Sequence, residues 1–410
     1  MLPGEFHAEM SDTTSSRIYD VAIVGMGPGG AVAAAELSRG GLTVLAFDKD
    51  SPPRYKVCGG GLSARIAHVL ELNLESVVER TIYGVQFAYR GQEPLLIQAA
   101  SPIAYMVMRD RFDHHLGQEA RRAGAEIREG EGVIGLVQQD DAVEVTTSLG
   151  RYRARFVVGA DGANSCVARQ LFPESPPCRV PALESEILVG DGCAFPPSGT
   201  IVVDVGAVSQ GYGWIFPKHG RLSIGVGEFR LKSVGLRATF DRFVQRLQGL
   251  KELSIPRPVG HPIPVYSSGA WTGTAIPRRL VNGRALLVGD AGHLVDPLFG
   301  EGIYYAVRSG QLAAQAILRA MHDRGRTVGE YEGEVERELV PDFRVTARIA
   351  RVIYTFPHLC FKLLGRYQDV VQLYFEVLQG RVTAEQFLGQ AKRRMKRSVS
   401  DLLLEALQLR

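Results

Sequence analysis

Three glycines early in the chain have the spacing of a phosphate-binding turn. Gly25, Gly27 and Gly30 form a Gly-x-Gly-x-x-Gly pattern directly after the apolar run 21–24. Glycines at these positions allow a sharp turn, a close approach of backbone to a pyrophosphate, and tight packing of a helix on a strand. The first N–H groups of the helix that follows then face the phosphates. The pattern predicts a dinucleotide-binding site.

An acidic residue follows at the distance that such a site requires. Asp48 comes directly after the apolar run 42–47. A carboxylate about 20 residues beyond the glycines accepts hydrogen bonds from a ribose hydroxyl. The alternative is a glycine-rich turn in an ordinary α/β unit. The order of strand, glycine turn, helix, second strand and acid favours the dinucleotide site.

A cysteine followed by three glycines forms the second candidate. Arg54 and Lys56 precede Cys58, and glycines occupy 59–61. Consecutive glycines let backbone pass close to a flat or bulky group. Two interpretations stay open: a flexible loop with a buried cysteine, or a loop folded against a cofactor with Cys58 facing it.

Two later turns also place an acid beside a glycine. Asp161 and Gly162 follow the apolar run 156–160, and Gly289 and Asp290 follow the run 284–288. An acid at the carboxyl edge of a sheet can hold a ribose or an adenosine-side group. The alternative for Asp161 is a surface Asp-Gly turn, a common use of that pair.

Two further glycines stand at the start of a predicted helix. Gly300 and Gly302 let backbone N–H groups point at an anion, and the N1–O2 edge of a reduced flavin carries such a charge. His293, between these features, is expected to be a structural or solvent-facing turn residue and not a catalytic one.

Two aromatic residues form the last candidate. Tyr212 and Trp214 are two positions apart, so on a strand they point to the same side. Neighbouring aromatic faces make a wall for an apolar or cationic partner. The alternative is that both are ordinary core residues.

These residues need an alternating series of strands and helices to position them. Strands are predicted by the apolar runs already named, and a β-hairpin is predicted within 81–100. Apolar residues at helical spacing predict a helix over 111–123. The other predicted segments are a helix over 31–39, a β-rich insertion over 181–280 interrupted by a helix at 236–250, a helix over 303–320, and a mainly helical region over 331–410.

Length and composition bound the class of protein. The chain has 410 residues, which predicts two or three lobes, and a net charge of +3, which is too small to indicate a nucleic-acid partner. Five cysteines without a C-x-x-C pair argue against a zinc site or a disulfide framework and fit a reducing, cytoplasmic compartment. Residues 1–17 lack the pattern of a secretory signal and are expected to be a disordered tail. No apolar run reaches the ~18 residues of a membrane span.

Taken together, the early glycine turn, the Asp-Gly turn at 161–162 and the Gly-Asp turn at 289–290 resemble the set found in the flavin-binding family that includes p-hydroxybenzoate hydroxylase. Two segments narrow the resemblance to the geranylgeranyl reductase branch. They are the K-x-C-G-G loop at 56–60 and a P-x-x-Y-x-W-x-F-P-K pattern followed seven residues later by glycine. Tyr212, Trp214, Phe216, Pro217, Lys218 and Gly225 match that pattern, while Ser209 stands in the place of its proline.

The resemblance implies an α/β fold with a discontinuous Rossmann-type FAD-binding domain, an inserted β-rich substrate domain and a C-terminal helical region. The FAD-binding domain is expected over 18–80, 101–180 and 281–330. The substrate domain is expected over 81–100 and 181–280, and the helical region over 331–410.

The resemblance also implies FAD as the cofactor and assigns roles to residues. Cys58, with Gly59 and Gly60, would lie over the flavin ring. Tyr212 and Trp214 would line a prenyl pocket and complete, with Cys58, the expected catalytic set. The remaining expected cofactor contacts are Gly25, Gly27, Gly29, Gly30, Asp48, Lys49, Arg109, Val133, Asp161, Gly162, Gly289, Asp290, Pro297, Gly300, Gly302 and Ile303.

The implied reaction is reduction of isolated C=C bonds in a prenyl chain carried by a lipid or a diphosphate. Alternatives on the same fold are a monooxygenase, a halogenase, whose W-x-W-x-I-P pattern lacks its first tryptophan here, and a prenyl-lipid carrier without catalysis. The electron donor stays open between NADPH, a donor protein such as ferredoxin, and others. The basic cluster 392–397 beside the apolar stretch 353–364 is compatible with a peripheral membrane contact.

Overall fold

The chain builds three β-sheets and a C-terminal group of helices. The structure is a computed structural model and describes residues 14–70, 72–90, 92–174, 178–190, 195–230, 235–247, 254–267, 279–323 and 325–395. Its strands are β1 (Thr14–Val24), β2 (Val44–Asp48), β3 (Gly61–Ser63), β4 (Val78–Ile82), β5 (Gly84–Ala88), β6 (Leu95–Gln98), β7 (Ala104–Val107), β8 (Glu126–Glu129), β9 (Val133–Gln138), β10 (Val143–Thr147), β11 (Arg151–Gly159), β12 (Val180–Leu188), β13 (Thr200–Asp204), β14 (Gly211–Lys218), β15 (Arg221–Glu228), β16 (Val259–Ile263), β17 (Val281–Asn282) and β18 (Ala285–Leu287). Its helices are α1 (Pro28–Arg39), α2 (Arg109–Arg122), α3 (Cys166–Leu171), α4 (Leu236–Arg246), α5 (Ile303–His322), α6 (Glu330–Glu338), α7 (Val340–Thr355), α8 (Pro357–Arg366), α9 (Gln368–Leu378) and α10 (residues 384–395).

The largest sheet brings the predicted turns to one edge. Its order is β17-β18-β11-β1-β2-β8, and the pairs β11–β18, β1–β11, β1–β2 and β2–β8 are parallel. Residues 21–24 are all buried, as expected for a central strand of a parallel sheet that is covered on both faces. Because neighbouring parallel strands end at the same edge, the turns after β2, β1, β11 and β18 lie side by side.

Helices α1 and α5 cross closely on this sheet. A Cβ on Gly29 would lie 2.8 Å from the Ala306 oxygen, and a Cβ on Gly310 would lie 2.4 Å from the Gly29 oxygen. Side chains at these two positions would separate the helices. The glycines therefore fix the distance of α5 from the glycine turn.

The second sheet is formed largely by the segment between residues 180 and 263. Its order is β16-β12-β15-β14-β13-β5-β6, and every neighbouring pair except β13–β5 is antiparallel. The hairpin of β5 and β6 thus pairs, through β5, with strand β13, which lies more than a hundred residues later in the chain. A small sheet of order β3-β7-β4 contacts β14 and α5.

A buried arginine ties the C-terminal helices to the loop before α5. Arg65 donates to Glu301 at 2.8 Å and to Asp342, on α7, at 2.9 Å. Its guanidinium also lies 3.9 Å from the centre of the Tyr304 ring. Arg65 is buried, so these two carboxylates compensate a charge that is out of contact with water.

Two expectations need correction. The disordered tail expected over 1–17 is wrong for residues 14–17, because β1 begins at Thr14 and pairs with Arg151 of β11. The backbone of this polar segment pairs with β11, and composition gives no sign of that pairing. Residues 1–13 lie outside the described part of the chain. Helix α4 ends at Arg246, short of the expected end at residue 250. Residues 248–250 also lie outside the described part of the chain. Among the described helices, none has both the length and the apolarity needed to cross a membrane.

Candidate functional site

The three glycines after β1 have different surroundings. Gly25 has a φ of 94°, and its N–H donates to the Phe47 oxygen at 2.8 Å, which ties the turn to β2. A Cβ on Gly30 would lie 2.0 Å from the Gly25 oxygen, so only glycine lets α1 start this close to the turn. A Cβ on Gly27 would meet no atom within 4 Å. Gly27 therefore borders open space at the N terminus of α1, where a phosphate can approach.

Carboxylates from the neighbouring turns lie beside the glycine turn. Asp48 is buried, and its Oδ2 accepts the Met26 N–H at 3.2 Å. Asp161 uses its Oδ2 to accept the Cys166 N–H at 2.6 Å, while its Oδ1 is buried and has no hydrogen-bond partner in the described part of the chain. Buried acceptors are rarely left unpaired. The free oxygen of Asp161 thus indicates a partner other than the chain itself.

A pair of arginines contacts Asp48 and a further acid, Asp113 of α2. Arg109 donates twice to Asp113, from Nε and Nη2, at 2.8 Å each. Arg54 lies 3.3 Å from both Asp48 and Asp113. Burial lowers the pKa of Arg109, but Asp113 and Cys58 outweigh burial and raise it, so Arg109 stays charged. Two guanidinium groups and two carboxylates thus form a charge-balanced cluster next to the glycine turn.

Lys56 and His261 form a close basic pair in the cavity wall. Their Nζ and Nε2 atoms are 2.7 Å apart. Burial lowers the pKa of Lys56, although Asp290 opposes that change. Burial, with Lys56 and Arg109, lowers the pKa of His261 to about 4. His261 is therefore neutral at pH 7, and its Nε2 accepts a hydrogen bond from Lys56.

The loop after β18 carries Asp290 to the start of α5. A Cβ on Gly302 would lie 3.2 Å from Asp290 Oδ1, so the carboxylate sits against the backbone at the N terminus of the helix. Asp296 holds the loop, because its Oδ1 accepts two N–H groups of the next turn and its backbone oxygen accepts the Gly300 N–H at 3.0 Å. Gly300 has a φ of 68°. Burial raises the pKa of Asp296 to about 6.

The three-glycine loop fits against the aromatic strand β14. A Cβ on Gly59 would lie 2.9 Å from the Phe216 ring, and a Cβ on Gly60 would lie 3.3 Å from Lys218 Nζ. Lys218 is itself buried and lies 2.6 Å from Glu186. The flat group beside the glycines is therefore a side chain of the same protein. The two sequence motifs form one structural unit, with Cys58 half-buried at its edge.

Aromatic rings form a wall next to this unit. The ring centre of Tyr212 is 5.8 Å from that of Trp214, 5.9 Å from that of Phe229 and 5.6 Å from that of Phe299. The Tyr212 hydroxyl donates to the Phe299 oxygen at 2.5 Å. Burial raises the pKa of Tyr212. Its proton is thus held by a backbone acceptor.

One continuous cavity of about 820 Å³ runs from the glycine turn to the aromatic wall. Its polar end lies among the turns of the large sheet. Its other end is lined by apolar side chains from β5, β13, β14 and α9. A cavity of this size lies within the range of ~300–1,000 Å³ that is usual for ligand sites.

Most of the predicted site residues line this cavity, and two do not. Gly30 and Pro297 are buried beside it; Gly30 acts in packing, as its contact with Gly25 shows. His293 is a buried turn residue with a φ of 54°, which agrees with its expected structural role. The predicted residues along the wall are Gly25, Gly27, Gly29, Asp48, Lys49, Cys58, Gly59, Gly60, Arg109, Val133, Asp161, Gly162, Tyr212, Trp214, Gly289, Asp290, Gly300, Gly302 and Ile303.

Sequence reasoning missed several polar residues of the wall. Glu184 is only 2% exposed, and His261 stands on the neighbouring strand. Asp296 of the loop before α5 also lines the wall. The alternation of β12 assigns Glu184 and Glu186 to the same face, and charge alone would place that face in solvent. The signal that this face is internal is the pairing of β12 with the glycine-rich strand β15, which is not local in sequence.

The polar end of the cavity fits a dinucleotide such as FAD. Gly27 leaves room for a pyrophosphate, the start of α1 supplies N–H groups, and Arg109 supplies positive charge. Asp48 and the unpaired Oδ1 of Asp161 are acceptors suited to hydroxyl groups. The donor set therefore matches phosphates in the middle and hydroxyls on both sides.

Comparisons with known proteins agree with this fit. The family described as FAD binding domain matches residues 18–177, and the family described as FAD dependent oxidoreductase matches residues 99–317. A geranylgeranyl diphosphate reductase of Rhodobacter capsulatus is 31% identical and covers 73% of this chain and 75% of its own. A digeranylgeranylglycerophospholipid reductase of Thermoplasma volcanium is 29% identical, with coverage of 77% and 82%. The solved structure of a geranylgeranyl bacteriochlorophyll reductase-like protein from Thermoplasma acidophilum has a TM-score of 0.75 at 25% identity and covers 87% of this chain and 92% of its own.

Proposed function

This chain belongs to the geranylgeranyl reductase family of FAD-dependent oxidoreductases, and we propose that it uses FAD to reduce isolated C=C bonds of a prenyl chain. The observation that supports this best is the single cavity that joins the dinucleotide turns to an aromatic and aliphatic chamber. A polar cofactor needs the polar wall at one end of this cavity, and a long apolar chain needs the apolar wall at the other end.

Residues along the cavity would bind different parts of the cofactor and the substrate. Gly25, Gly27 and the start of α1 would bind the pyrophosphate, and Asp48 would hold the adenosine ribose. Asp290 and the backbone at Gly300 and Gly302 would hold the ribityl chain and the flavin edge. The unit of Cys58–Gly61 and β14 would border both the ring and the prenyl chain where the two meet.

Reduced FAD, when bound, supplies a hydride to one carbon of the double bond. The protein would deliver a proton to the less substituted carbon in the same step and stabilise the cationic character that develops at the more substituted carbon, which receives the hydride. The faces of Tyr212 and Trp214 line the chamber and are suited to a developing positive charge. The apolar lining excludes water, which strengthens these interactions.

The contacts of the candidate proton donors favour Cys58 over Tyr212. The Tyr212 proton is engaged by the Phe299 oxygen, and removing it is unfavourable because burial raises the pKa of this phenol. Cys58 lines the cavity, and its Sγ accepts the Gly60 N–H at 3.4 Å, which leaves the thiol proton free to point elsewhere. We propose that the Cys58 thiol is the group that faces the substrate.

The proposed substrate is a prenyl lipid or a prenyl diphosphate, and the donor that reduces FAD is NADPH or an electron-donor protein. Val352, Phe356 and Leu359 at the junction of α7 and α8 are 55%, 58% and 55% exposed. Helix α8 leads directly to α9, which lines the apolar end of the cavity. We propose that this junction contacts a lipid surface peripherally, on the cytoplasmic side, and admits the prenyl chain.

Mass spectrometry of prenyl substrates tests the reaction. Protein loaded with FAD and chemically reduced is incubated with geranylgeranyl diphosphate and, separately, with an unsaturated ether lipid. We expect a gain of two hydrogens per reduced double bond. An oxygenated or halogenated product, or an unchanged prenyl chain, would contradict the proposed reaction.

The Cys58→Ala variant tests the thiol. We expect unchanged FAD content and a loss of alkene reduction of about 100-fold or more, the range of a lost general acid. Cys360→Ala removes a cysteine outside the cavity wall and is the control. Reduction by Cys58→Ala at the wild-type rate would exclude a catalytic role for Cys58.

A further inference from the structure

A chain of hydrogen bonds leads from the aromatic wall to a buried acid. The Trp214 Nε1–H donates to Ser223 Oγ at 3.2 Å, and the Ser223 hydroxyl donates to Glu184 Oε1 at 2.6 Å. Ser223 is fully buried, and Glu184 is almost fully buried in the cavity wall. The Trp214 end of the chain is fixed, since an indole nitrogen can only donate, and the Ser223 hydroxyl uses its one hydrogen on Glu184. Glu184 Oε1 is therefore an acceptor.

The other oxygen of this carboxyl group has no hydrogen-bond partner among the described residues. Glu184 Oε2 is buried, and a bare carboxylate oxygen in such a place is unfavourable. Burial raises the pKa of Glu184, while Ser223, Lys218 and the Cys58 N–H lower it and Glu186 raises it. The group thus holds its proton to a higher pH than an ordinary glutamate, and that proton belongs on Oε2.

The backbone brings this acid close to the candidate thiol. Residues 184, 225 and 214 stand opposite one another on β12, β15 and β14. A Cβ on Gly59, next to Cys58, would lie 3.4 Å from Trp214 Nε1. The Cys58 N–H acts on the Glu184 carboxyl, and both residues line the same cavity. Glu186, two residues along β12, and Lys218 on β14 complete the charges that act on Glu184. Tyr55 on the loop is affected by both acids, and His261 stands on β16, which pairs with β12.

We propose that Glu184 is the internal proton reservoir of the reaction and acts on the substrate through Cys58. This inference rests on the proposed function and adds a residue to it. The reduced flavin is the reductant and gives two electrons with its hydride. The π electrons of the C=C bond form a C–H bond with the Cys58 proton, and the hydride fills the other carbon. The thiolate then takes the Glu184 proton, and Ser223, Lys218 and the Cys58 N–H stabilise the resulting carboxylate until solvent returns a proton.

Single-turnover kinetics of FAD-loaded protein test the role. Glu184→Gln keeps the shape and an acceptor for Ser223 but carries no transferable acid proton. We expect reduction by this variant to fall at least tenfold with unchanged FAD content and unchanged substrate affinity. The wild-type rate should fall as pH rises through the Glu184 titration, and the variant should lack that limb. Glu228→Gln on β15, outside the cavity wall, is the matched control and should behave as wild type.

Tryptophan fluorescence gives a measurement that needs no turnover. In a Trp271→Phe background, Trp214 remains as reporter at the other end of the hydrogen-bond chain. We expect a pH-dependent step above the ordinary glutamate range that Glu184→Gln abolishes. If the step is missing, Glu184 does not hold its proton above the ordinary glutamate range and the reservoir is wrong. If the wild type reduces prenyl chains and Glu184→Gln does so equally fast, only the role of Glu184 is wrong. If the wild type reduces none, the proposed function itself fails and the reservoir with it.

Discussion

At Gly225 the missing side chain decides where Trp214 can lie. A Cβ on Gly225 would be 2.0 Å from Trp214 Cζ2, so the indole lies flat over the backbone of β15. In that position its N–H reaches Ser223. The glycine that follows the aromatic motif by seven residues is therefore part of the same contact. Its role is to let the ring cross a strand.

Replacing this glycine tests the contact. We expect Gly225→Ala to lower the free energy of unfolding by about 1–3 kcal/mol, the usual effect of overpacking, and to change Trp214 fluorescence. Gly227→Ala is the control, because its Cβ would meet its nearest atom, in Phe229, at 3.5 Å, an ordinary contact. Urea unfolding of both variants measures the difference. Equal stability of the two variants would contradict the packing described.

His261 makes stability depend on pH in a defined direction. Its pKa falls from 6.5 to about 4 in the folded protein because of burial, Lys56 and Arg109. The unfolded chain therefore binds a proton first, and the native state loses stability as pH falls from 6.5 towards 4. We expect a loss of about 1–2 kcal/mol from this residue after solvent screening is allowed for.

Unfolding of His261→Gln at several pH values measures that loss. The free energy of unfolding of the variant should decline less than that of the wild type between pH 6.5 and 4. His322→Gln, on the exposed end of α5, should follow the wild type. A His261→Gln curve with the wild-type slope would show that His261 is protonated in the folded protein.

At the scale of elements, two glycines of the same turn allow FAD affinity and stability to be tested separately. Gly27→Ala adds a methyl group in open space, so we expect unchanged stability without FAD and an FAD affinity at least about tenfold lower. Gly30→Ala drives a methyl group into the Gly25 oxygen, so we expect about 3 kcal/mol of lost stability as well. Thermal unfolding and FAD titration of both variants check this. A Gly27→Ala protein that binds FAD normally would contradict the assignment of the pyrophosphate.

The elements that could be predicted from sequence are those whose backbone requires particular residues. The glycine turn, Asp48 and the turn at Gly289 carry local signals, because a parallel strand that ends in a tight turn needs apolar residues and then glycine. The contact of Gly59 with Phe216 carries none, since the two residues are 157 positions apart. Glu184 was missed for the same reason: its burial depends on which strands β12 pairs with.

At the scale of the whole molecule, the exposed junction of α7 and α8 is expected to set where the protein works. Val352, Phe356 and Leu359 are flanked by the exposed cations Arg351 and Lys362. Each cation near an anionic bilayer contributes about 1 kcal/mol, and apolar side chains add insertion into the interface. We therefore expect the junction to favour anionic over neutral membranes.

Flotation with vesicles tests this surface. We expect the wild-type protein to float with anionic vesicles, and to do so less at high salt. In the double variant Phe356→Glu with Leu359→Glu, we expect the floated fraction to fall at least about tenfold. Leu149→Glu changes an equally exposed leucine in the turn after β10 and should float normally. Normal flotation of the double variant would rule out this junction as the contact.

Synthesis on the ribosome completes the cofactor cradle late. Strand β18 and helix α5 span residues 285 to 322, yet they close the sheet edge that opens with Gly25. At about 5–20 residues per second, roughly 15–60 s pass between translation of that turn and of the end of α5. Until β18 and α5 are made, β11 lacks its parallel neighbour on one side and α1 lacks the helix that packs against it. The complete cradle is therefore available to flavin only when about three quarters of the polypeptide has been made.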